Sequence, residues 1–185
     1  GVFPMKIIFA ADPFALPLRK AIVEHLKKKG HEVIDFGASE ENTEIAYYDS
    51  CVKACEALQR GEGERGILLC GTGMGMNVIA NRFQGVRASV VESVFAARMC
   101  RAINDANVLC LGADGVDCET AAAILKNFIA TPVDEDERHV RRRWKLERSM
   151  RLSDASGLMA DDPEVWAAIE AQTLQEDTEI NLIAS

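Results

Sequence analysis

Ile67-Leu68-Leu69-Cys70-Gly71-Thr72-Gly73-Met74-Gly75-Met76 decides the fold. The first four residues are a short apolar run that reads as a buried strand, and the glycines then break the extended pattern. Gly71, Gly73 and Gly75 alternate with larger residues, which lets successive backbone N–H groups point into one concavity. Met76-Asn77-Val78-Ile79-Ala80-Asn81 reads as the first turn of a helix. Strand, glycine loop and helix start together make an anion site from backbone geometry and helix dipole. A thiol, Cys70, and a hydroxyl, Thr72, stand at its mouth, which points to chemistry as well as binding.

Outward from this stretch the pattern repeats. Lys6 to Ala11 is an apolar strand with Asp12 at its carboxyl end. Residues 14–29 carry Leu18, Ile22, Val23 and Leu26 at helical spacing and close on Lys27-Lys28-Lys29-Gly30. Residues 32–37 form a second strand, and 45–60 a helix with Val52, Cys55 and Leu58 on one face. After the glycine loop come a strand at 86–91, a helix at 93–103, a strand at 107–112 and a helix at 117–130. Alternating strands and helices with short connections predict an α/β fold, a five-stranded parallel sheet with helices on both faces. Ligands in such sheets sit beyond the carboxyl ends of the strands, which places Asp12, the 70–76 loop and the end of strand five along one edge. The loop is not a dinucleotide fingerprint, because it follows the third strand and lacks the G-x-G-x-x-G spacing. It is not a P-loop either, since no Lys-Ser or Lys-Thr follows it.

A basic helix at 137–150 carries Arg138, His139, Arg141, Arg142, Arg143, Lys145 and Arg148. Arg138 and Arg142 lie four apart on one face, with His139 beside them, as a phosphate clamp requires; a solvated helix face is the plainer alternative. Beyond Met150, Pro163 marks a helix start, and Val165, Trp166, Ile169 and Leu174 follow at roughly helical spacing. This makes 151–185 a helical, acidic extension packing on the body or a partner.

The 185 residues, 48% of them hydrophobic, suffice for one domain core over 5–150. No stretch of eighteen apolar residues predicts a membrane span. Gly1 to Pro4 reads as a cloning remnant before a natural start at Met5. The six cysteines lack metal-ligand spacing and read as free thiols of a cytoplasmic protein, so neither a metal nor another cofactor is expected. The net charge of −8 argues against nucleic-acid binding. Most of that charge lies beyond residue 150, where eight carboxylates face only Arg151, so the nearly neutral body does not repel an anionic substrate.

Several segments, taken together, resemble the ribose 5-phosphate isomerase B family, which includes the galactose 6-phosphate isomerase subunits. They are Ala11-Asp12, Cys70-Gly71-Thr72-Gly73-x-Gly75, Ile79-Ala80-Asn81-Arg82, Gly85-Val86-Arg87-Ala88, Asn104 to Leu109, Leu111-Gly112 and Arg138-His139-x-x-Arg142. The resemblance implies a Rossmann-like three-layer domain in a homodimer or tetramer, with active sites between subunits and no metal. It implies aldose–ketose isomerisation of a sugar phosphate through a cis-enediolate. By that resemblance Cys70 is the base, and the amides of Gly71, Gly73 and Gly75 hold the enediolate oxygen. Asp12, Thr72 and Asn104 bind hydroxyls and relay protons, while Arg138, His139 and Arg142 take the phosphate. An inert buried thiol at Cys70 and a simple strand-end cap at Asp12 are the plainer alternatives.

The chain also departs from that family. The ring-opening histidine before the Asn-Asp pair is Ile103 here, and the histidine after the first aspartate is Pro13. Isoleucine cannot move a proton, so an open-chain substrate such as a tetrose or tetrulose phosphate is expected. Gly112-Ala113-Asp114 stands where the family often carries an arginine, and Ile45-Ala46-Tyr47-Tyr48 replaces its Asp-Tyr-Pro. A non-catalytic sugar-phosphate binding subunit is the competing reading, and a thiol redox protein ranks below it, because the chain has no Cys-x-x-Cys.

Overall fold

A computed structural model describes residues 3–154 together with Ala167, Ala171, Gln172, Leu174 and Gln175. The chain divides into two units, Gly1–Val133 and Asp134–Ser185. Most of the extension expected beyond residue 150, with Pro163, Val165, Trp166 and Ile169, lies outside the described residues, as do Gly1 and Val2.

The first unit alternates strands and helices: β1 (Lys6–Ala11), α1 (Leu16–Lys28), β2 (Glu32–Asp35), α2 (Tyr47–Gln59), β3 (Arg65–Cys70), α3 (Met74–Ala80), β4 (Ala88–Val90), α4 (Val94–Ala102), β5 (Val108–Gly112) and α5 (Cys118–Ala130). All strand pairings are parallel, in the order β2-β1-β3-β5-β4. The chain leaves β1 toward β2 on one side and returns past it to β3 on the other. Right-handed crossovers then put the connecting helices on opposite faces. The side-chain alternation fits this. Ile7, Phe9, Ile67, Leu69, Leu109 and Leu111 share a core with residues of α1, α4 and α5. Ile8, Ala10, Leu68, Cys70, Val108 and Cys110 share one with residues of α2 and α3. Strands buried on both faces need continuous apolar runs, and β1, β3 and β5 have them.

The elements expected from Lys6 to Met150 are all present, with shifted ends. Pro13–Ala15 forms a separate 3-10 turn ahead of α1, because the Asp12 carboxylate caps it and proline suits a first helical position. α3 begins at Met74, two residues earlier than expected, because Gly73 itself is its N-cap. No helix among the described residues is long and apolar enough to cross a membrane. The second unit contains α6 (Glu137–Asp154).

Candidate active site

The register of the central strands builds the site. Ala11 pairs with Leu69, and Cys70 with Gly112. The Asp12 N–H donates to the Leu69 carbonyl at 2.7 Å. Asp12, Cys70 and Gly112 therefore end three adjacent strands at the carboxyl edge. The 71–73 loop then folds onto the end of β5: the Ala113 N–H donates to the Cys70 carbonyl and the Asp114 N–H to the Gly71 carbonyl, both at 2.9 Å. Two glycines permit this approach. Gly73 has φ +75°, and a Cβ there would meet the Leu111 carbonyl carbon at 3.0 Å. A Cβ on Gly112 would lie 2.6 Å from the Thr72 carbonyl carbon.

Cys70 is buried at the floor of this loop, where its Sγ accepts the Gly73 N–H at 3.1 Å. The Thr72 Oγ1 accepts the Met74 N–H at 3.3 Å. The N–H groups of Gly71, Thr72 and Gly75 donate to no other group among the described residues. Gly75 belongs to the first turn of α3, whose amides have no intrahelical acceptor. Three unpaired amides thus surround a fixed sulfur. This arrangement can receive an oxyanion while the sulfur moves a proton.

Asp12 performs the capping role as well: its Oδ1 accepts the Phe14 N–H at 2.8 Å, and the side chain is buried. Two further groups touch the loop. The Tyr47 ring reaches within 2.9 Å of the position a Cβ on Gly75 would take, and its hydroxyl oxygen lies at 3.4 Å from that position. The Asp114 Oδ2 stands 3.1 Å from the corresponding position on Gly71. The sequence marks Tyr47 and Asp114 as departures, but only tertiary packing brings them to the glycines.

Asn104 is not part of this edge. It lies exposed in the turn between α4 and β5, at the amino end of the strand whose carboxyl end is Gly112. At ~3.3 Å per residue, β5 alone separates it from the Cys70 edge by more than ~13 Å. The turn is firmly held. Asp105, with φ +51°, accepts Arg87 Nη2 at 2.8 Å and Arg101 Nη1 at 2.7 Å.

In the second unit Arg138, His139 and Arg142 fall within the first two turns of α6, and the first two are engaged by acids. Arg138 grips Asp136 through Nη2–Oδ2 at 2.9 Å and Nε–Oδ1 at 3.0 Å. That grip and the backbone N–H of Arg138 bring the Asp136 carboxyl down to about 2. The His139 Nδ1 lies 2.9 Å from the Asp134 Oδ2. The Asp136 backbone N–H, then this histidine contact, lower the Asp134 carboxyl. Arg142 is exposed.

The sequence model of the ribose/galactose isomerase family matches residues 7–146. The chain belongs to this family. Over 135 residues, 71% of this chain and 85% of the relative, it is 38% identical to a 4-deoxy-4-sulfo-D-erythrose isomerase of Clostridium sp. (strain MSTE9). Over 121 residues, 65% of this chain and 80% of the relative, it is 35% identical to a D-erythrulose-4-phosphate isomerase of Pectobacterium atrosepticum. The structure of ribose-5-phosphate isomerase B from Clostridium thermocellum superposes with a TM-score of 0.75 at 37% identity, covering 80% of this chain and 99% of that one.

Among the thiols other than Cys70, contact with Cys51 lowers Cys55. Contact with Cys55, then burial, pushes the Cys51 thiol up, and burial raises Cys110 and Cys100. Those sulfurs stay protonated in the core. Cys118, the exposed one, starts α5.

Proposed function

We propose that this chain is an aldose–ketose isomerase for an open-chain four-carbon sugar with an anionic group on C4, and that Cys70 is its base. The observation carrying the reading is the Cys70 Sγ held by the Gly73 N–H beside the unpaired amides of Gly71, Thr72 and Gly75. The Cys70 thiolate removes the proton from C2 of the aldose, and the electron pair moves to the C1 oxygen through an enediolate. The amides stabilise the charge on that oxygen, and return of the proton to C1 gives the ketose. Thr72 and Asp12 hold hydroxyls and relay the proton between O1 and O2. Arg138, His139 and Arg142 bind the terminal anion.

Ile103 supports the four-carbon assignment. A pentose 5-phosphate closes a furanose through O4 and needs an acid–base group to open it. A tetrose with O4 phosphorylated, or replaced by a sulfonate, has no such ring. The names of the two four-carbon relatives fit a substrate of this kind.

The site is completed in a homodimer, in which Asn104 of the partner subunit reaches the carboxyl edge. Its position at the opposite edge from Cys70 supports this, as do the exposed Met74 and Val78, four apart on α3 and thus on one stripe.

The deciding experiment compares kcat/KM for erythrulose 4-phosphate, 4-deoxy-4-sulfo-erythrulose and ribose 5-phosphate. One four-carbon substrate is expected to exceed ribose 5-phosphate by roughly 100-fold or more, the usual worth of a missing acid–base group. Preference for ribose 5-phosphate would overturn the substrate class. Absence of solvent deuterium uptake with every sugar would overturn catalysis itself and leave a binding subunit.

A further inference from the structure

Away from the carboxyl edge, a cleft of about 330 Å³ opens between the C-terminal ends of α1 and α5, lined by His25, Leu26, Lys29, His31, Lys126, Ile129 and Ala130. Both helices follow strands that end at the carboxyl edge, so the cleft lies at the amino edge, away from Cys70. Its lining is unusual for a chain with a net charge of −8: four basic side chains, three apolar residues and no acid.

Helix chemistry accounts for only part of this. Cations in the last turn of α1 offset the helix dipole, which explains His25, Lys27 and Lys28, with Lys29 at the C-cap. It does not explain His31, which lies beyond the helix, or Lys126 on a different helix. His31 is 7% exposed, and its Nδ1 accepts the Met5 N–H at 3.3 Å. The ring proton therefore sits on Nε2, which has no partner among the described residues. This nitrogen reaches solvent rather than being sealed in the core, and His31 lines the cleft, so its N–H is available to an acceptor bound there. His25 gives a second sign. Burial first, then Lys29, His31 and Lys28, lower its pKa, as expected where cations crowd without a counter-ion. Leu26, Ile129 and Ala130 supply an apolar wall, and the volume is that of a small-ligand site.

We propose that this cleft binds a small organic oxyanion with an apolar body, at a site separate from the catalytic loop. The oxyanion takes the Nε2–H of His31 and the ammonium groups of Lys29 and Lys126, and the hydrocarbon part lies on Leu26 and Ile129. The proposal does not depend on the isomerase substrate.

The test uses the full chain and 2-naphthoate as probe, followed by calorimetry and saturation-transfer NMR. Saturable 1:1 binding is expected, weakened by about tenfold or more in the double variant Lys29→Glu/Lys126→Glu. Both lysines are exposed, so this variant retains its fold, which its unchanged thermal transition checks. Neutral naphthalene-2-methanol should bind more weakly than naphthoate to the wild type, and Cys70→Ala should bind naphthoate as the wild type does. Absence of saturable binding overturns the proposal, as does unaltered affinity in the double variant. Loss of binding in Cys70→Ala also overturns it, because the probe would then occupy the catalytic loop.

Discussion

Replacing Gly112 by alanine tests whether the loop geometry governs the chemistry. The added Cβ would lie 2.6, 2.7 and 2.8 Å from the Thr72 carbonyl carbon, its oxygen and its Cα. Carbon atoms rest at about 3.5–4.0 Å, so the loop must lift from β5 by about 1 Å. All three opposing atoms are backbone, so no rotamer change relieves the contact. Overpacking of this kind costs about 2 kcal/mol, which in a chain of this length lowers Tm by about 4–8 °C. Thr72 lies between Cys70 and Gly73, so the lift also disturbs the Gly73 N–H contact to the sulfur and, on the proposed reading, the placement of the unpaired Thr72 and Gly75 amides. Misplacement by about 1 Å is worth roughly 100-fold in rate. The assay is kcat/KM on the preferred sugar, beside a thermal melt. Gly61→Ala is the control: Gly61 has φ +74° with nothing within 4 Å of its Cβ position, so the variant pays left-handed strain of about 1 kcal/mol and keeps its activity. Gly112→Ala with lowered Tm but unaltered kcat/KM would refute the link between loop position and catalysis.

Two more predictions concern assembly and charge. Cys70→Ala and Asn104→Ala homodimers should each be inactive, yet subunits mixed and re-equilibrated should recover about a quarter of wild-type activity. Half of the dimers are then hybrids with one intact site of two, whereas a site within one subunit would recover nothing. Followed by carboxyl ¹³C shifts, Asp136 should titrate near 2, and Asp134 below the usual carboxylate range. Both values are depressed in the folded chain, so their contribution to stability is present above the ordinary value of 3.8 and is lost as pH falls toward 2. An Asp136 midpoint at the ordinary value would show that Arg138 does not hold it.

The placement of Cys70, the glycine loop and Asp12 at one edge was legible because its determinants are local. An apolar run, three alternating glycines and a helix start lie within ten residues, and parallel topology places Asp12 beside them. The position of Asn104 was legible in principle, since a residue just before a strand of a parallel sheet must lie at its amino edge. Resemblance to the family grouped it with Cys70 without regard to edge. Tyr47 over Gly75 and Asp114 against Gly71 were not legible as neighbours, because the packing of α2 on α3 and the turn after β5 bring them there. The basic stretch at 137–150 gave the helix but not the pairing of Arg138 and His139 with Asp136 and Asp134, which depends on side-chain reach at the helix start.

Ile103 and Asp114 point to the same kind of substrate by different physical routes. Half-buried Ile103 precedes the Asn104 turn, and on the proposed reading its side chain, unable to move a proton, would confine the substrate to carbonyls that are already free. The Asp114 Oδ2 stands 3.1 Å from the position a Cβ on Gly71 would take, which puts a carboxylate at the glycine loop. A terminal phosphate or sulfonate close to that carboxylate would be repelled, whereas a hydroxyl could donate a hydrogen bond to it. On the proposed reading, a carbonyl with its neighbouring hydroxyl is the end of the substrate that suits this loop. Neither replacement lies in the contact between the Cys70 sulfur and the Gly73 amide, so the proposed proton-transfer centre would keep that contact with either residue.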